Sequence, residues 1–115
     1  MSDILSITLK DSSVRIEGLK AAMCRAVVVV YGYLRTLGIP LVITSGNDGT
    51  HKAYSPRHPR SLHYEDLAVD FRLPSRFTGK EATDAAVKIG LAGKLGPEYD
   101  LVLEVDHFHL EYDPK

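Results

Sequence analysis

Two segments hold the side chains best suited to chemistry: Ser61-Leu62-His63-Tyr64-Glu65-Asp66-Leu67-Ala68-Val69-Asp70 and, near the C-terminus, Asp106-His107-Phe108-His109. Together they can offer imidazoles and a carboxylate to one divalent zinc ion, with a further carboxylate beside it to handle protons. Zinc accepts neutral His nitrogens at about 2.0–2.1 Å and carboxylate oxygens at a similar distance, and a catalytic site keeps three protein ligands and a water. His63 and Asp70 are seven positions apart, which leaves room for a turn over Tyr64 to Asp66 that brings loop and strand side chains together. A lone histidine or a lone strand aspartate carries little by itself. His107 and His109, however, alternate with Phe108, so on a strand both imidazoles face one side and Phe108 the other. The chemistry expected of this set is that of a zinc hydrolase.

Regular elements must position these residues. From Gly18 to Leu37, apolar or small residues fall at Leu19, Ala22, Met23, Ala26, Val30, Tyr33, Leu34 and Leu37, steps of three and four that predict a core helix. The β-branched run Val27 to Val30 is a weak helix former, so tertiary packing must hold it, and Gly38 and Pro40 stop it. Leu41 to Thr44 reads as a strand, and Ser45 to Leu62, rich in turn formers, as a long loop of the kind that is often functional. Leu67 to Leu73 returns as a strand with Asp70 inside it. A capping box of Thr78 and Glu81 predicts a second helix ending at Leu95-Gly96-Pro97, with Ala82, Ala85, Ala86, Ile89 and Leu95 resting on the sheet. Leu101 to Val105 and His107 to Tyr112 supply one long strand or a hairpin. The expected fold is α+β, a small mainly antiparallel sheet packed by two main helices, in a single domain over residues 1–115.

Composition excludes several classes. With 44% apolar and 25% charged residues the chain has the make-up of an ordinary globular domain rather than a disordered one. A formal charge of −1 provides no global basic field for nucleic acid or an anionic membrane, although Lys52, Arg57, His58, Arg60 and His63 crowd one stretch. Cys24 is the only cysteine, which rules out an internal disulfide, and its place in an apolar helical pattern predicts a small buried hydrophobe. The start Met1-Ser2-Asp3-Ile4 has no secretory signal character, and the apolar segment Ala26 to Tyr31 is too short to span a bilayer. The expectation is a protein made in the cytoplasm, delivered by other means if its substrate lies outside.

In these residues the chain resembles the zinc peptidases of the D-alanyl-D-alanine carboxypeptidase and dipeptidase type, of the hedgehog/DD-peptidase fold. The family pattern Ser-x-His-x-x-Gly-x-Ala-x-Asp is met by Ser61, His63, Ala68 and Asp70, its later His-x-His by His107 and His109, and its strand ending Thr-Ser-Gly by Thr44-Ser45-Gly46. The resemblance runs from about Gly18 to Tyr112 and includes the order helix, strand, loop, strand, helix, strand. It implies zinc held by His63, Asp70 and His109, with Asp106, three places before the last ligand, as base. Glu104 stands in the same relation to His107, a rival register with His107 as ligand. A strictly regular strand would point Asp106 away from His109, so the first register needs a bend near Val105. His107 is then a donor to the oxyanion or a support for the metal site.

The chain departs from the family in two places. Asp66 replaces the family glycine, and Asn47 and Asp48 stand where many relatives carry an arginine, a role open to His51, Arg57 or Arg60. The implied substrate is a peptidoglycan stem peptide cut at a D-Ala-D-Ala or L-Ala-D-Glu type bond, by a phage endolysin acting on the wall after release or by a recycling peptidase. The competing expectation is a non-catalytic zinc module, or a virion or structural protein of the same fold.

Overall fold

His107-Phe108-His109-Leu110-Glu111-Tyr112 alternates polar and apolar side chains without interruption, the signature of a strand with one face in a core and the other carrying polar groups. In the computed structural model, which describes residues 7–16, 18–46 and 66–114, this segment is strand β5 (His107–Tyr112). It lies between β3 (Ala68–Arg72) and β4 (Tyr99–Leu103) and pairs antiparallel with both. β2 (Leu41–Ser45) pairs antiparallel with β3, and β1 (Ile7–Leu9) pairs parallel with β2. The sheet order is β1-β2-β3-β5-β4. The domain is thus α+β with a mixed five-stranded sheet. Its antiparallel majority agrees with expectation, and the C-terminal segment takes the hairpin form rather than one long strand.

The core lies against one sheet face. Val69 and Phe71 of β3 and Phe108 and Leu110 of β5 join Met23, Ala26, Val30 and Leu34 of helix α1 (Ala21–Thr36) and Val87, Leu91 and Leu95 of helix α3 (Ala82–Leu95). Phe71 and Phe108 are register partners with ring centroids 5.2 Å apart. Each fully buried aromatic contributes about 1.5–3 kcal/mol, so this pair weighs heavily in setting the register. By strand alternation, Asp70, His107, His109, Glu111 and Asp100 belong to the opposite face.

Helix α1 buries Met23, Ala26, Val30 and Leu34 of its predicted stripe while Leu37 is exposed, and in the Val27 to Val30 run Val30 is buried, Val27 and Val29 lie against the core and Val28 is exposed. Cys24, expected to be buried, is exposed, with its thiol directed at the Leu19 carbonyl 3.7 Å away. The reason is rotation: one residue past buried Met23 lies about 100° further round the helix. At the C-terminus, Gly38 takes φ +73°, Ile39 N–H donates to the Leu34 carbonyl at 3.0 Å and Gly38 N–H to the Arg35 carbonyl at 3.1 Å. This is a Schellman cap, sealed by buried Ile39.

The second predicted helix is corrected in its start and its face. Thr78 ends a short helix, α2 (Ser75–Thr78), closed by Gly79 at φ +73°, and α3 begins at Ala82 after Glu81 with no side-chain cap. The expected capping box does not form. Instead the buried Asp84 carboxylate accepts from Ser75 N–H at 2.8 Å and Ser75 Oγ at 2.7 Å, tying α2 to α3. The buried face is Asp84, Val87, Leu91 and Leu95, while Ala82, Ala85 and Ala86 are exposed and Ile89 is 76% exposed. Two bulky leucines and a valine outweigh three alanines in area removed from water. Gly90 lets α3 approach α1, because a Cβ there would collide with the Tyr33 hydroxyl. Among the described residues, no helix is long and apolar enough to cross a membrane.

Replacing Gly38 by alanine forces a Cβ into a left-handed position and is expected to lower the unfolding free energy by about 1 kcal/mol. Urea denaturation of the variant checks this, with an unchanged midpoint counting against the cap.

Candidate metal centre

β3 and β5 pair so that Asp70 is directly opposite His109. Their side chains meet on the face away from the helices, with Asp70 Oδ1 3.0 Å from His109 Nδ1. The other imidazole nitrogen, Nε2, lies 2.7 Å from Glu111 Oε1, two residues along the same strand and hence on the same face. His109 and Glu111 are each only 1% exposed, and Asp70 is buried as well. This imidazole is therefore held between two carboxylates away from solvent.

Burial disfavours the charged ring, but the hydrogen bonds and charges of Asp70 and Glu111 outweigh it and raise the His109 pKa above its ordinary value of 6.5. With a carboxylate at each nitrogen, the site favours a proton on the ring more than water does. The same geometry fits a metal. Two donors on a tetrahedral zinc at about 2.05 Å stand about 3.3 Å apart, so Asp70 Oδ1 and His109 Nδ1 need to separate by only a few tenths of an ångström. Zinc would then take the place of the Nδ1 proton.

The remaining expected residues distribute unevenly. The bend required near Val105 is present: Val105 and Asp106 form the β4–β5 turn, closed by Glu104 N–H donating to the His107 carbonyl at 2.9 Å. Asp106 Oδ1 lies 2.6 Å from His107 Nδ1, and His107 Nε2 is 3.6 Å from Asp70 Oδ2. Asp106 thus connects to Asp70 through His107, and its side chain is 73% exposed. Glu104 joins this arrangement through its backbone. His63, the third expected ligand, lies outside the described residues, as do Ser61, Asn47, Asp48, His51, Arg57 and Arg60.

Two positions in the motifs have a visible cause. A Cβ on Gly46 would run into the Arg15 carbonyl, so the Thr-Ser-Gly ending lets two backbone segments meet where Ser45 pairs with Asp70 across a register shift. Asp66 has φ +60°, the left-handed conformation a glycine adopts freely, and its carbonyl accepts from Lys20 N–H at 3.0 Å. Its Oδ1 is buried and finds no hydrogen-bond partner among the described residues. Aspartate is therefore held at this position with strain.

Sequence reasoning passed over three carboxylates. Glu111 was legible as the next same-face residue after His107 and His109. Asp100 faces Glu111 across β4 and β5, and Asp113 follows two residues on. Among the described residues, Asp100, Glu111 and Asp113 form a group whose oxygens lie within 4.8 Å of one another and could hold a metal ion. Only the sheet order brings Asp100 into it.

Asp66→Gly is expected to raise the unfolding free energy by about 1 kcal/mol, since it removes both the left-handed strain and the unpaired buried oxygen. An unaltered or lower urea midpoint would contradict that account. A pH dependence also follows. A histidine whose folded pKa is raised adds stability in full below its unfolded value near 6.5 and loses it as pH rises through the folded value. Thermal melts in chelator should therefore fall with rising pH across that window, and the fall should be absent in His109→Gln. No family model matches the chain, and no curated protein proves similar to it.

Proposed function

We propose that the chain is a zinc peptidase of the hedgehog/DD-peptidase fold, hydrolysing an amide bond of the D-Ala-D-Ala or L-Ala-D-Glu type in peptidoglycan stem peptides, as a phage endolysin does after release. The observation that carries this reading is the buried Asp70 and His109 pair, 3.0 Å apart on neighbouring strands, at two positions where the family motifs expect metal ligands. His63 would complete the set. The order α1, β2, β3, α3 and the β4–β5 hairpin supports the fold.

Zinc at such a site supplies a Lewis acid and lowers the pKa of water towards about 7, which makes hydroxide available near neutral pH. Asp106, exposed at the turn, takes the proton of the attacking water on a carboxylate oxygen and returns it to the leaving amine. His107, with Nδ1 held by Asp106 and Nε2 facing Asp70, would support the metal site from beside its carboxylate ligand. Glu104 closes the turn that presents Asp106.

Zinc analysis paired with digestion of purified peptidoglycan tests the reading. The wild type should carry one zinc and release amino groups. Asp106→Ala should keep its zinc and lose at least about 100-fold in rate, the usual scale of a removed general base. His109→Ala should lose both. Unchanged cleavage in Asp106→Ala would transfer the base to Glu104, and zinc without cleavage by the wild type would leave a non-catalytic zinc module.

A further inference from the structure

We propose that Glu111 is the positioning residue of the metal site: by accepting a hydrogen bond from His109 Nε2–H, it makes Nδ1 the ligand atom and aims it at Asp70. The inference rests on the reading of Asp70 and His109 as metal ligands. It concerns a residue outside the expected triad.

The geometry leaves little choice of role. A neutral imidazole carries one N–H, and the nitrogen that keeps it is set by the acceptor it finds. Glu111 Oε1 lies 2.7 Å from Nε2, and Asp70 Oδ1 lies 3.0 Å from Nδ1. Once Asp70 and Nδ1 share a cation, Glu111 is the acceptor placed to take the ring proton at Nε2. Both residues are on β5 two positions apart, so the strand fixes their separation, and at 1% exposure neither can turn to water instead. Without Glu111 the ring could rotate about Cβ–Cγ and withdraw Nδ1 from Asp70. A carboxylate on the far nitrogen also makes imidazole a stronger metal donor, and loss of such a partner typically costs 10–100-fold in metal affinity.

Zinc affinity measured by competition with a chromophoric chelator, together with long-range 1H–15N spectra of the zinc-loaded, histidine-labelled protein, tests this directly. In the wild type, Nε2 of His109 should carry the proton and Nδ1 the metal. Glu111→Leu, of similar bulk but with no acceptor, should lose about 10–100-fold in zinc affinity. Glu111→Gln, whose amide oxygen still accepts, should keep most of the affinity and the same tautomer. A wild type that binds zinc through Nε2, or a folded Glu111→Leu with undiminished affinity, would overturn the role of Glu111 while leaving the metal site standing. A wild type that binds no zinc removes both. If Glu111→Leu fails to fold, the wild-type tautomer and the Glu111→Gln affinity decide.

Discussion

Everything at the candidate site depends on the register of β3 against β5. Side chains alternate along a strand with period two, so a slip of one residue would send Asp70 into the core and bring Phe71 to the polar face. What prevents it is on the other side of the sheet. Phe71 packs on Phe108, and Val69 and Leu110 complete a buried strip against α1 and α3. The apolar face thus holds the polar face in place. The pairing of Asp70 with His109 is a consequence of aromatic packing one residue away.

The polar face is costly to build. Removing a charge from water costs several kcal/mol unless a partner and hydrogen bonds answer it. The chain answers with alternation, since carboxylates and imidazoles follow one another from Asp106 through His107, Asp70 and His109 to Glu111. The His109 imidazole stands between two carboxylates, which favours a cation there, whether proton or metal. A purely structural core would be served as well or better by apolar residues of similar volume. Retaining five ionisable groups in one line is therefore an argument for chemistry. Asp66 points the same way: a left-handed aspartate, with a buried oxygen that no described residue answers, sits two residues before β3 and is held there by its bond to Lys20.

Much of the frame was legible in the residues. Gly38 and Pro40 mark the end of α1, and the structure adds the two hydrogen bonds of the cap. The alternation in His107 to Tyr112 places both histidines on one face, and it places Glu111 there too, although the motif drew attention away from it. The second helix was harder. Alanines at 82, 85 and 86 with Ile89 make one apolar face, and Val87, Leu91 and Leu95 make another. Periodicity alone does not rank them; the contact of Gly90 with Tyr33 and the bond of Asp84 to Ser75 do. Thr78 and Glu81 have the spacing of a capping box, but Gly79 turns left-handed between them and closes α2 instead.

By itself the sequence determined which side chains share a face, because strand and helix periods are properties of local backbone geometry. It also determined where helices stop, because glycine alone adopts positive φ without strain. Only the tertiary structure decided which strands are neighbours and in what register, because Asp70 and His109 are 39 residues apart and meet only when the core between them packs. The same packing brought Asp100 to Glu111 across the sheet. These are contacts between distant segments, and no local period encodes them.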